Sequence, residues 1–238
     1  MTPTCLRMVQ FLIVLAGVAI LALANYQIGL SRLRRTLREK ARPLDDPKLQ
    51  AAVARLAQAA EVPDLRAELF EMPVVNGLAT PDGRVYLTTA LFDKYRFGLL
   101  TVEEVASVVA HELGHVGLGH HQRRLIDWTG QSVAALALGV LLNRFVPILG
   151  FYVANFLAGL LMARLSRRDE FEADRYATAL MLKAGFGHRP QIEMFRKLER
   201  MVPGPKPAAW LASHPPVAER IAAIEANVAA WSVEPGAA

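Results

Sequence analysis

A chain of 238 residues is long enough for one well-buried domain together with a membrane attachment. Hydrophobic residues make up 53% of it, above the roughly 45–50% usual for soluble domains, and its mean hydropathy is positive, so apolar spans are sought before domains. The net charge of +5 does not mark a nucleic-acid binder, since no aromatic-studded basic face accompanies it, and the single cysteine, Cys5, excludes both an internal disulfide and a thiolate zinc cluster.

Val9 to Leu30 is an almost unbroken apolar run of 22 residues, and a hydrocarbon core needs roughly 20. Directly behind it, Arg32, Arg34, Arg35, Arg38, Lys40 and Arg42 supply six of the 27 basic residues, a placement that suits lipid headgroups better than a DNA groove. Ala22-Leu23-Ala24 imitates a signal-peptide cleavage site, but dense positive charge just downstream resists translocation. The expectation is an uncleaved N-terminal transmembrane helix in an anchor segment, residues 1–42, with residues 43–238 forming a domain on the cytoplasmic side of a bacterial inner membrane. The alternative is a domain on the periplasmic side, or secreted after cleavage.

Asp46 to Ala60 carries Leu49, Val53, Leu56 and Ala60 at three- and four-residue spacing and predicts an amphipathic helix. Leu65 to Leu91 reads as strands with turns: Ala67 to Met72 alternates, and Pro81-Asp82-Gly83 is a turn signal before Arg84 to Thr89. Thr101 with Glu104 forms a capping box opening a helix whose apolar face is Val105, Val108, Val109 and Val116, with Gly117 and Gly119 as its stop. A second apolar stretch, Ser132 to Ala163, is interrupted by Asn143-Arg144, Pro147 and Gly150. Helices are expected from about Arg167 to Ala184, from about Pro190 to Met201, and from near Pro216 with Val217, Ile221 and Ile224 along one face.

The chemistry centres on His111-Glu112-Leu113-Gly114-His115. Residues four apart share a helix face, so both imidazoles can reach one metal ion, and Glu112 then lies beside the open coordination position, placed to take a proton from water. A third ligand must come from elsewhere. His121, six residues beyond His115, fits the spacing of HExxHxxGxxH zincins, although the glycine position of that pattern is Leu118, flanked by Gly117 and Gly119. Glu170 is the other candidate, from Asp169-Glu170-Phe171-Glu172-Ala173-Asp174. There Glu170 and Asp174 share a face, so that one can ligate while the other orients a ligand. Standing alone, that acidic cluster also reads as an ordinary solvated helix face.

Taken in order, HELGH, an apolar insertion and Ser166-Arg-Arg-Asp-Glu-Phe-Glu-Ala-Asp-Arg175 resemble the M48 family of zinc metallopeptidases, the group of the HtpX, Ste24 and Oma1 peptidases. The resemblance covers about Asp46 to Ala230 and extends to Val75-Asn76-Gly77, where an asparagine-alanine pair is common in the family and Gly77 departs from it. It also takes in Ser213-His214-Pro215-Pro216 with Arg220. It implies an α+β, mainly α-helical, zincin-like metallopeptidase domain with a small β-sheet and an HExxH active-site helix. It implies one Zn2+ per chain held by His111, His115 and Glu170, Glu112 as the catalytic base, and Asp174 as the aspartate paired with Glu170. Glu172 matches no ligand position and is expected at the surface, while His120 and His121 are expected to finish the zinc helix and face water. Asn76, by family analogy, lies near an edge strand able to receive an extended peptide, or is simply a turn residue beside Gly77. His214 can approach the metal or steady a substrate, or lie exposed in a loop. Arg220 can stabilise an oxyanion or pair with a carboxylate such as Asp174.

If His115 and Glu170 hold one ion, the chain between them starts and ends on the same side of any membrane, which excludes a single crossing. Two crossings need roughly 40 apolar residues and a turn, and Ser132 to Ala163 offers 32 residues. A short helical hairpin at about 132–163, buried against the domain or dipping into one leaflet, is therefore expected. The function expected is a membrane-associated zinc endopeptidase acting on peptide or protein substrates at the lipid bilayer, in membrane-protein quality control or processing. The alternative is a non-catalytic, zinc-bearing membrane scaffold or chaperone.

Overall fold

The computed structural model describes residues 3–80, 82–201 and 215–233. In chain order its elements are α1 (Pro3–Lys40), β1 (Ala41–Pro43), α2 (Pro47–Ala60), β2 (Arg66–Phe70), β3 (Gly77–Thr80), β4 (Arg84–Thr88), α3 (Thr89–Arg96), α4 (Val102–Gly117), α5 (His120–Asn143), α6 (Leu149–Lys183), α7 (Arg189–Met201) and α8 (Val217–Val233). The protein is mostly helical with one small mixed sheet. It divides into two compact units, Met1–Thr36 with His121–Ser166, and Leu37–His120 with Arg167–Ala238.

The described residues of the first unit are helical apart from the turn at 144–148. Among its large apolar side chains Ile13, Ile20, Leu21, Ile126, Leu141, Phe145, Tyr152, Phe156, Leu160 and Leu161 are exposed, whereas the small residues Ala22, Ala135 and Ala154 are buried. Among the described residues two helical stretches, Gln122–Asn143 and Leu149–Lys183, are long and apolar enough to cross a membrane. The helices are thus longer than the 132–163 stretch suggests. α6 runs without a break from Leu149 to Lys183, where the sequence suggested one helix ending near Ala163 and another starting near Arg167. The physical reason is that no proline or glycine lies between Leu160 and Ala184, and a run of charges after Arg164 does not end a helix.

The second unit holds the main core. α2 forms as its sequence dictates: the Asp46 carboxylate accepts from the Leu49 N–H at 2.9 Å, Pro47 occupies the first turn, and Leu49, Val53 and Leu56 are buried at helical spacing. α4 opens with the Thr101–Glu104 capping box, both halves of which are made, and buries Val105, Ala106, Val109, Ala110 and Leu113. The four-stranded sheet has the order β1-β2-β4-β3. The expected hairpin is β3–β4, antiparallel with Leu78 opposite Tyr86; β2 instead pairs parallel with β4, and β1 adds antiparallel to β2. β3 is therefore an outer strand. At its start a Cβ on Gly77 would stand 2.9 Å from Val108 Cγ1 and 3.1 Å from Glu112 Cγ, so β3 runs hard against α4 only because Gly77 has no side chain.

α4 and α6 approach as closely at one point. A Cβ on Gly114 would lie 3.0 Å from the Ala173 carbonyl oxygen and 3.1 Å from its Cα, and Ala173 and Ala177 are fully buried beside it. Gly114→Ala must therefore push two backbones apart. The expected cost is about 1–3 kcal/mol, read as a lowered Tm in thermal denaturation; an unchanged Tm would show that the contact is slack.

Candidate metal centre

α4 presents His111 and His115 towards the face of α6 that carries Glu170 and Asp174, while Glu112 stands against Gly77 and Ala79 of β3. Because Gly114 lets the helices close up, His111 Nε2 and His115 Nε2 come within 3.2 Å of each other, and they lie 3.6 and 3.7 Å from the two Glu170 oxygens. Two imidazole nitrogens this close need a cation between them, a shared proton in the metal-free chain or a metal ion. Tetrahedral zinc with ligand bonds of about 2.0–2.2 Å spaces its ligand atoms about 3.3–3.6 Å apart, and the donor set of two nitrogens and one carboxylate is one that zinc takes. The three residues present therefore fit such an ion. The side chain of His121, the rival third ligand, lies outside the described residues.

Each of the two histidines is fixed from behind. His111 Nδ1 donates to Asp174 Oδ1 at 2.9 Å, which leaves Nε2 bare for a metal. Asp174 is in turn gripped by Arg220, with Nε to Oδ2 at 2.6 Å and NH2 to Oδ1 at 2.7 Å. The guanidinium also stands 3.4 Å from Glu170 and lies over the Phe195 ring. Arg220 thus occupies the ion-pair role of the two expected for it. The Asp174 main-chain carbonyl accepts from Gln191 Nε2 at 3.2 Å, and the buried Thr178 hydroxyl lies beside both groups, tying α7 to the same turn of α6.

His115 is backed differently. Its Nδ1 is 2.8 Å from Nδ1 of His120, whose Nε2 is 3.3 Å from Glu172 Oε2 and 3.9 Å from Asp169 Oδ1. This corrects two expectations: His120 is only 1% exposed and does not face water, and Glu172 is a half-buried hydrogen-bond partner. A spacing of five residues falls off a helical face, so nothing in the sequence linked His115 to His120. The chain turns at Leu118-Gly119 and sends His120 back beneath the ring. Asn76 is exposed at the head of β3, its backbone tied to Thr88 through the threonine hydroxyl at 3.0 and 3.1 Å. His214 lies outside the described residues.

Burial penalises every charge here, and the neighbours decide which charges survive. For His111, burial opposes protonation, but the Asp174 and Glu170 carboxylates overcome it and raise the imidazole to about 9. Burial would raise Glu170, yet His111 and Arg220 hold it down to about 2. Asp174 is also held below its ordinary value against burial, chiefly by Arg220. Glu112 is the exception: burial lifts it, the nearby Glu170 charge adds to the rise, and His111 and the Ala79 N–H only moderate it. The metal-free site attracts a cation strongly enough to hold a proton where an ion would sit.

The profile of Peptidase family M48 matches residues 43–228. Metalloprotease LoiP of Escherichia coli is 28% identical over 163 residues, 67% of this chain and 61% of that protein. Protease HtpX of Legionella pneumophila is 27% identical over 218 residues, 73% of this chain and 74% of that protein. The matched segments of the curated relatives range from 27% to 74% of those proteins' lengths. The crystal structure of Ste24p from S. mikatae shares the fold with a TM-score of 0.61 at 20% identity, covering 89% of this chain and 58% of that one.

For the metal-free chain, Glu170 contributes stability that is complete above about pH 4.5 and lost as pH falls towards 2. His111 contributes stability that is complete below about pH 6.5 and lost as pH rises through 9. Chelator-stripped protein should therefore melt highest between these limits, and a Tm that climbs from pH 7 to pH 9 would contradict the site's charge balance. Glu170→Ala should weaken zinc binding by more than the about 10- to 100-fold typical of a residue behind the ligands. His121→Ala should leave it nearly unchanged; a chelator competition giving the reverse order would restore His121 as the ligand.

Proposed function

The chain belongs to Peptidase family M48, and from that premise we propose that it is a membrane-associated zinc endopeptidase. The observation that supports this most is the convergence of His111 Nε2, His115 Nε2 and the Glu170 carboxylate, with Glu112 on the next position of the same helix. A zinc ion held by those three residues would polarise the scissile carbonyl and make water acidic enough to lose a proton near neutral pH. Glu112 accepts that proton and passes it to the departing amine. Its burial suits the task, because a carboxylate lifted towards neutrality takes and returns a proton more evenly than an ordinary glutamate. Asp174 holds His111 in the ligating tautomer, and Arg220 keeps Asp174 charged.

β3 supports a place for the substrate. It is the outer strand of the sheet, and Gly77 brings it against Glu112. An extended peptide hydrogen-bonded along its free edge would carry a carbonyl past the Glu112 carboxylate, with Asn76 at the head of the strand. His214 remains a further substrate contact on sequence grounds.

Membrane association is supported by the two exposed apolar helices and by the run Val9–Leu30 followed by its basic cluster. Two crossings by α5 and α6 return the chain to its starting side, which a metal shared by His115 and Glu170 requires. α1 then serves as a further anchor, with the part of residues 43–238 outside the two crossings on the cytoplasmic face of a bacterial inner membrane. Substrates in or near the bilayer follow from that position, and quality control or processing of membrane proteins is the corresponding role.

The competing reading, a zinc-bearing scaffold or chaperone, gives Glu112 nothing to do. Glu112→Gln should bind zinc within a few-fold of the parent yet cleave casein about 100- to 10,000-fold more slowly. The parent's activity should vanish with 1,10-phenanthroline and return with zinc. A parent that is loaded with zinc and cleaves nothing would favour the scaffold.

A further inference from the structure

Behind the proposed ligands lies a second group of metal-capable side chains, His120, Asp169 and Glu172, whose donor atoms are within 4.8 Å of one another. We propose that this cluster is not a second metal site and that His120 is a positioning residue, which holds His115 in the tautomer that offers Nε2 to zinc. The proposal rests on the zinc-site reading above.

Protons decide between the two roles. His115 Nδ1 and His120 Nδ1 are 2.8 Å apart, so with both rings neutral one nitrogen must carry a hydrogen and the other must be bare. His115 Nε2 points at His111 Nε2 and Glu170, the position a metal ligand needs. Its hydrogen is therefore on Nδ1 and is donated to His120. His120, accepting at Nδ1, carries its own hydrogen on Nε2, and that nitrogen faces Glu172 Oε2 at 3.3 Å. The other Glu172 oxygen accepts from Arg168 Nε at 2.8 Å, which leaves Oε2 directed at His120. A metal on His120 Nε2 would move the hydrogen to His120 Nδ1, and His115 would then have to be protonated on Nε2. With neutral rings, occupancy of the inner cluster and of the outer one exclude each other.

The two ligand histidines are thus supported unequally. His111 donates straight to a carboxylate that Arg220 holds charged, whereas His115 donates to a second imidazole, with a carboxylate one step further on. Burial of His120 keeps water from substituting for it.

The test uses the full chain purified in detergent, with zinc affinity measured by chelator competition, metal stoichiometry, and the visible absorption of the cobalt-loaded protein. His120→Leu should lose about 10- to 100-fold in zinc affinity and change the cobalt spectrum. His120→Asn, whose amide oxygen can stand where Nδ1 stood and accept from His115, should stay within about threefold of the parent and keep the parent's cobalt spectrum. Glu172→Ala should fall between them, and it decides the matter if His120→Leu does not fold. A folded His120→Leu or Glu172→Ala variant with parental affinity would overturn the proposal, as would His120→Asn binding as weakly as His120→Leu. Two zinc ions per parent chain, one of them lost on His120→Leu, would show a second metal site. A parent that binds no zinc would bring down the site reading itself.

Discussion

The close approach of α6 to α4 at Gly114 and Ala173 is what the rest of the molecule depends on. Neither helix is unusual alone: α4 has an ordinary capped start and apolar face, and α6 is a long helix with a charged segment. Only where a missing side chain lets the two backbones touch do His111, His115 and Glu170 come within a few ångströms. One methyl group at that crossing would occupy the space that separates a metal-binding geometry from two facing helix surfaces. The second tight point, Gly77 under β3, does the same for the sheet, bringing an unpaired strand edge to the residue that would move the proton.

Charge explains why this arrangement is stable only as a unit. Glu112, Glu170 and Asp174 are three carboxyl groups facing one guanidinium, an excess of acidic groups that a further cation offsets. Burial alone would protonate all three. Arg220 and the imidazoles keep Glu170 and Asp174 ionised, and Glu112, with less help, is lifted. The distribution assigns different chemistry to similar side chains: two hold cations, and one is suited to trading a proton.

Much of this was legible in the sequence, for local reasons. Spacing of four placed His111 and His115 on one face, and Thr101 with Glu104 marked where their helix begins. Asp46-Pro47 marked the start of α2. Long-range pairings were not legible. Nothing in Arg66–Phe70 distinguishes a strand parallel to β4 from one arm of a hairpin, and Ala41–Pro43 sits among basic residues that read as membrane-proximal. The length of α6 was hidden by the shift from apolar to charged residues, a change of surroundings that the helical backbone ignores. Choosing Glu170 over His121 needed the ordered family pattern, because an acidic helix face alone carries no address. His120 was missed because its partner is reached through a turn, and hydrogen-bond geometry of that kind leaves no periodic trace.

Arg220 comes from α8 and grips a carboxylate 46 residues earlier in the chain. During synthesis the ribosome releases α4 and α6 well before α8, so Asp174 and Glu170 meet the imidazoles while their guanidinium is still unmade or inside the exit tunnel. The nascent domain therefore passes through a stage in which an anionic pocket exists without its built-in counter-charge. The site cannot be charge-complete at that stage, and a chain shortened before Val217 would stay there permanently. The order of manufacture thus delays the finished site until α8 has emerged.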